Sequence, residues 1–358
     1  MRQLKPIINS LMKGFKYRAN LMDDNGLYRD MESLIKDELY AARFDDLNDP
    51  FEAMATQSFG DAINLLREIG LDEYGPLQEI SQKIMDFRDR AGVYSLAKSD
   101  SGLPGSELMW AHYANAHKGF CIEYDIDVIA LSEELWFNVN QIDSVVYSPL
   151  LPEMDMEDLL GSSDVPLLTK IYGTKSKVWS YENEARLLYE TYGLKKYNPA
   201  ALKAVYFGLN MEKSQEDYLI EGLKNRNVVF YKMRMADREY RLIAEKIAVN
   251  EKSYKYNLPE DSFKIIMTDH NKAVENFHVF YKKTDTSIDS LLNFIRAFRE
   301  RFCTRPANIS LYDINNEYLQ SLIKIYPLHG EQLVYMRQHF IAASFFEMED
   351  QLWRNLYD

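Results

Sequence analysis

Residues 175–186 read KSKVWSYENEAR, and the way this stretch is laid out in space decides what kind of protein the chain is. Leu187, Leu188, Tyr189 and Tyr192 follow, an aliphatic and aromatic run of the kind a β-strand favours. Side chains alternate along extended backbone, so Glu182, Glu184 and Arg186 are expected on one face and Asn183, Ala185 and Leu187 on the other. Carboxylates held that close need a cation, a shared proton or a cationic ligand. The pair therefore marks a candidate site. The competing reading is that Arg186 simply neutralises Glu184 in a surface ladder, where such a pair contributes only about 0.2–1 kcal/mol.

Outward from this stretch, strands are expected at 15–18, 39–44, 93–97, 120–124, 144–147, 184–191, 201–208, 228–233 and 240–247. Helices are expected at 61–69, 76–90, 107–117 and 214–225. Leu77, Ile80, Ile84 and Phe87 give the second helix an amphipathic face, and Ser106 is placed to cap the third. Strands that neither alternate regularly with helices nor gather at one end define an α+β class rather than a doubly wound sheet. The acidic stretch 153–164 reads as an exposed lid or insertion. A shift in composition over 249–261 reads as a linker, dividing a first domain at 1–250 from a second at 260–358. In the second, strands at 263–267, 277–281 and 309–312 and helices at 288–302, 317–325 and 331–347 describe a small α/β domain.

With 358 residues the chain can bury a large core in two domains. Its net charge of -13 opposes bulk nucleic-acid binding, which depends on Lys and Arg neutralising phosphates. Cys121 and Cys303 stand far apart without a CxxC spacing, so neither a disulfide framework nor a zinc site is indicated and no metal is expected. No stretch of about 18 apolar residues offers a membrane span. A cytoplasmic protein with no membrane association is the expectation. The chain has no GxGxxG after a strand, no GxxxxGK[ST], no HExxH and no GxSxG.

Other residues stand out beside bland alternatives. Lys16, Tyr17 and Arg18 put two cations and an aromatic together, either as a phosphate clamp or as a solvated strand end. The Ser95 hydroxyl lies in an apolar strand and meets either a ligand or its own backbone. Trp110 and Tyr113 offer flat rings for stacking, although aromatics at helical spacing usually belong to a core. His112 and His117 lie about 140° apart around a helix, which suits no shared metal and leaves His112 as an interior or cleft-edge residue. Asn48, Asp49, Pro50, Phe51 and Glu52 form a turn able to grip a ribose or cation, or to satisfy its own amides.

Five blocks in order resemble the bacterial domain of unknown function 2971 family: Phe15 to Arg18; Phe44 with Asn48 to Glu52; Leu108 to Tyr113 leading to Gly119 through Tyr124; Val146 and Tyr147; and Lys175 with Trp179, Tyr181, Glu182, Glu184 and Arg186. The resemblance spans about residues 10–247. The block order more distantly resembles the ADP-ribosyltransferase fold, which implies split mixed or antiparallel sheets with flanking helices. It also implies that Arg18 holds a pyrophosphate and that Ser95 begins the strand beneath a nicotinamide. Glu184 would stabilise an oxocarbenium ion and Glu182 would orient the acceptor. No STS-type strand follows Ser95, and the scheme gives His112 and Tyr113 no role.

The expected function is NAD-dependent ADP-ribosyl transfer to a protein or small acceptor, or NAD hydrolysis. Glu184 and Glu182 are the catalytic candidates, and Arg18, Tyr17, Ser95, Trp110, His112 and Tyr113 the dinucleotide-binding ones. One alternative is a non-catalytic sensor or interaction module in a bacterial defence or stress system, its C-terminal domain contacting a protein partner. Another is a metal-dependent phosphoesterase or nuclease built on Asp49, Glu52, Glu182 and Glu184.

Overall fold

Phe15 and Tyr17 are buried on one side of strand β1 (Lys13–Arg18), as its alternation of aromatic and basic residues requires. In the computed structural model, which describes residues 12–57, 86–130, 139–155, 158, 167–270, 274–282, 284–303, 306–325 and 327–356, this strand lies inside the main sheet. The chain divides into two compact units, Leu11–Glu251 and Lys252–Asp358. The expected helix at 61–69, most of that at 76–90 and most of the acidic stretch 153–164 lie outside the described residues.

The first unit holds an eight-stranded sheet. Its further strands are β2 (Gly92–Ala97), β3 (Phe120–Asp125), β4 (Val139–Ile142), β5 (Glu184–Tyr189), β6 (Leu202–Phe207), β7 (Val228–Met235) and β8 (Leu242–Asn250), in the order β8-β7-β6-β3-β1-β2-β5-β4. Neighbours are antiparallel except β6 and β7, which run parallel around the connecting helix α3 (Lys213–Gly222). Helices α1 (Arg29–Ile35) and α2 (Glu107–Tyr113) precede it in the chain. Mixed sheets and helices make this an α+β fold.

In place of two split sheets, eight strands form one, because β1 pairs with β3 on one side and β2 on the other. The two joins differ greatly. β1 pairs with β3 along its whole length, from Lys13↔Asp125 to Arg18↔Phe120, but meets β2 at the single pair Phe15↔Ala97. Beyond that pair the strands diverge, and the Lys16 ammonium bonds the Ser95 carbonyl at 2.9 Å where a ladder bond would otherwise run.

One face of the sheet carries the largest core cluster, including Tyr94, Leu96, Ile122, Tyr124, Leu187, Val205 and Phe230, and packs Leu219 of α3. Phe15, Tyr17, Met109, Trp110, Cys121 and Tyr206 form another cluster on the opposite face. Burying a side chain of this size stabilises by roughly 1.5–3 kcal/mol. The expected helix at 107–117 is capped by the Ser106 hydroxyl, which accepts from the Met109 N–H, but it stops at Tyr113. Asn115, Ala116 and His117 all take left-handed backbone, with φ of 49, 50 and 67°, and end it. The chain then enters β3 through Gly119, where a Cβ would stand 2.0 Å from the Arg18 carbonyl oxygen.

The decisive stretch departs from the expectation of one continuous strand. Thr174–Ser176 is a short strand, Lys177–Glu182 a 3₁₀ helix, and Asn183 a left-handed residue at φ 45°. Strand β5 begins only at Glu184, so Glu182 is not its pleat neighbour. Elsewhere the expected strand at 39–44 ends at Ala41, with Phe44–Asp46 a 3₁₀ turn, and that at 144–147 begins at Val146.

The second unit is a four-stranded sheet of β9 (Phe263–His270), β10 (Glu275–Tyr281), β11 (Ala307–Tyr312) and β12 (Phe340–Ser344), in that order. β10 and β11 are parallel and joined by α4 (Ile288–Phe302). Leu291, Phe294, Ile295 and Phe298 sit at helical spacing and pack on Phe277, Val279, Ile309 and Leu311. The expected helix at 331–347 ends at His339 and continues as β12, because Ala342, Ala343 and Ser344 find backbone partners on β11. Tertiary pairing there overrides the local pattern. Among the described residues no helix is long and apolar enough to cross a membrane.

Candidate active site

β5 pairs with β2 in the register Glu184↔Ala97 and Arg186↔Ser95, so Glu184, Arg186 and Ser95 share one face of the sheet. Arg186 is fully buried there. It donates from Nε to Glu184 at 2.9 Å and from both terminal nitrogens to the two oxygens of Glu52 at 2.8 and 2.7 Å, and it also bonds the Tyr172 carbonyl at 2.9 Å. Asp49 of the 48–52 turn accepts from the Phe51 N–H, as a self-satisfied loop should, while Glu52 leaves that loop and forms the bidentate pair.

The left-handed Asn183 turns the 3₁₀ segment back, so that Glu182 returns to the same place from another direction. Lys175 joins all three carboxylates, with Nζ 2.6 Å from Glu182, 2.7 Å from Glu184 and 3.2 Å from Glu52, and it also lies 5.0 Å from the Trp179 ring centre. The Tyr113 hydroxyl donates to Glu182 and accepts from the Asn48 amide at 3.3 Å. Tyr147 accepts the Glu184 backbone N–H at 2.9 Å.

Three carboxylates face two cations, Lys175 and Arg186, so full ionisation would leave one surplus negative charge in a buried place. The surplus is relieved at Glu182. Burial, followed by the hydrogen bond and charge of Glu184, raises its carboxyl to about 7. Burial also acts to raise Glu184, but the Arg186 charge, the hydrogen bond with Glu182 and the Lys175 charge outweigh it and hold the group well below the usual carboxylate range. The result is one proton donor beside one firm carboxylate.

Glu52, Lys175, Glu182 and Glu184 form the floor of a cavity of about 250 Å³, which opens where β1 and β2 diverge, and Arg186 lies beneath them. Phe15, Lys16, Tyr17, Ser95, Met109 and Tyr113 line its walls. A neighbouring cavity of about 430 Å³ shares Lys16, Tyr17 and Tyr113 and adds Arg18, Arg29, Asp23 and Asp30. Arg18 there lies 5.9 Å from the Tyr94 ring centre and 3.7 Å from Asp30.

Of the eight catalytic and dinucleotide-binding candidates, Glu182, Glu184, Ser95, Tyr17 and Tyr113 meet in the first cavity, and Arg18 lies in the second. Two do not line either. Trp110 is fully enclosed, donates its indole N–H to the Pro104 carbonyl at 2.6 Å and packs edge-on against Tyr17, so it is a core residue. His112 is exposed beside Tyr181 at a ring distance of 6.1 Å. Lys175 opens the fifth block of the sequence but has no chemical role assigned there, and nothing in the sequence connects Glu52 with Arg186. Lys175 stands only seven positions before Glu182 and was within reach of a local reading. The other pair is separated by 134 positions, and no local pattern signals it.

Residues 109–187 match the model of a family described as "Protein of unknown function (DUF2971)", the family that the block order resembles. No curated protein and no solved structure matches the chain.

Proposed function

We propose that the chain is an enzyme that cleaves the N-glycosidic bond of NAD and passes ADP-ribose to a protein or small acceptor, or to water. The observation that carries this reading is the pairing of a firmly ionised Glu184 with a Glu182 whose carboxyl is raised to about 7, on the floor of a cavity whose neighbour bears Arg18 and Arg29. Together the cavities fall in the usual size range of small-molecule sites, about 300–1,000 Å³. The narrow join between β1 and β2 gives the ligand a cleft within the sheet.

In this reading Arg18 and Arg29 hold the phosphates, and the ribose lies over Glu184. As the C1′–N bond breaks, its electron pair leaves on the nicotinamide nitrogen, and positive charge develops on the sugar beside the Glu184 carboxylate. An acceptor hydroxyl or water then bonds to C1′ and gives its proton to ionised Glu182, a base whose value near 7 suits neutral pH. Tyr113 and Lys175 fix the Glu182 carboxylate by hydrogen bonds.

The test is nicotinamide release from labelled NAD by wild type and Glu184→Gln. Release that falls at least about 100-fold in the variant supports the reading, on the scale of removing one electrostatic stabiliser. Equal release, or none from either protein, overturns it. A second reading takes the cluster as a purely structural brace in a sensor or interaction module, and the complete pairing of Glu52 and Glu184 by Lys175 and Arg186 favours it. It expects no change in melting temperature with NAD or ADP-ribose and stable co-purification of a partner protein.

A further inference from the structure

Lys16 is set apart from the other sunken lysines of the first unit. Lys175 is ringed by three carboxylates, and Lys232 meets Glu216 at 2.6 Å. Among the described residues Lys16 has no carboxylate within ion-pair distance. Its Nζ has one hydrogen-bond acceptor, the Ser95 carbonyl at 2.9 Å, and lies 4.7 Å from the Tyr94 ring centre. Lys16 lines both cavities, with Glu182 lining the first and Arg18 and Arg29, beside Asp23 and Asp30, lining the second.

We propose that Lys16 is a catalytic nucleophile that forms an imine with a small aldehyde or ketone carrying a phosphate group. The amine has the surroundings this needs. Burial first, then the positive charge of Arg18, lowers its ammonium to about 7, against the opposing pull of Glu184, Asp30 and Glu182. Desolvation beside another cation is the established way to free a lysine lone pair at neutral pH. In the step itself the neutral amine attacks the carbonyl carbon, the C–N bond forms, the carbonyl π-pair moves to oxygen, and the positively charged nitrogen passes one of its two protons to that oxygen, which regenerates the nitrogen lone pair. Glu182, facing the same cavity, gives a proton to the resulting hydroxyl, which leaves as water while the nitrogen lone pair completes the C=N bond. The remaining N–H proton returns to Glu182. One carbonyl oxygen leaves as one water, and nothing is oxidised or reduced. The phosphate class follows from Arg18 and Arg29 in the adjoining space.

The proposal is independent of NAD cleavage, and either result of the nicotinamide assay leaves it standing. Its test treats the full chain, without NAD, with one equivalent of pyridoxal 5′-phosphate at pH 7, then borohydride, and maps the reduced adduct by peptide mass spectrometry. An amine half-neutral at pH 7 exceeds an ordinary lysine in reactive form by about a thousandfold, so Lys16 should carry at least about ten times the label of any other lysine. Pyridoxal without its phosphate should label it at least about tenfold less. Lys16→Arg should lose the label. Adduct spread evenly over exposed lysines such as Lys177 and Lys118, or equal labelling by both aldehydes, overturns the proposal. If Lys16→Arg fails to fold, the wild-type map alone decides.

Discussion

Replacing Glu182 by Gln should make the protein more stable at pH 8 and leave it nearly unchanged at pH 5. The Glu182 carboxyl moves from an ordinary 4.5 in the unfolded chain to about 7 in the folded one. Between those values the native state binds more protons than the unfolded state, so stability falls as pH rises through the window. Each pKa unit corresponds to 1.36 kcal/mol, and allowing for the share that belongs to Glu184, the loss is about 2–3 kcal/mol by pH 8. Gln keeps the shape, cannot ionise, and leaves Glu52 and Glu184 balanced by Lys175 and Arg186. Urea unfolding of both proteins at pH 5, 6, 7 and 8, followed by tryptophan fluorescence, gives the difference directly. The reasoning is refuted if the two stability curves run parallel with pH, or if the variant loses ground as pH rises.

Arg186→Met should destabilise the protein by about 3–5 kcal/mol, because Glu52 and Glu184 remain buried without their guanidinium. Adding Glu52→Gln should recover part of that loss in the same urea measurement. Gly119→Ala should lower stability by at least about 2 kcal/mol, since the new methyl would stand 2.0 Å from the Arg18 carbonyl oxygen and the backbone must give way. Gly105→Ala meets nothing within 4 Å and should stay within about 0.5 kcal/mol of wild type by thermal melting.

Much of the scaffold was legible because alternation is a local property. β1 and β3 declare themselves by aromatic and aliphatic residues at period two, β2, β5, β6 and β7 by short aliphatic and aromatic runs, and α4 by apolar residues at helical spacing. Where local signals compete, tertiary pairing decides. Residues 340–344 continue a helical pattern yet pair with β11, and 175–182 contain strand formers that fold into a 3₁₀ segment. Trp110 shows the same limit from the other side, since an aromatic on a helix reads equally well as a platform or as core, and only packing against Tyr17 chooses.

The sequence by itself determined that Glu184 and Arg186 share a face and Ala185 and Leu187 the other, because pleat geometry depends on nothing beyond the strand. It could not say which charges balance which. Lys175, Glu52 and Glu182 reach that face from a short strand, a distant turn and a 3₁₀ segment, and their separations in the chain carry no periodicity. The protonation of Glu182 likewise follows from counting buried charges after assembly. Electrostatic energy depends on distance and burial through space, and both are properties of the folded chain alone.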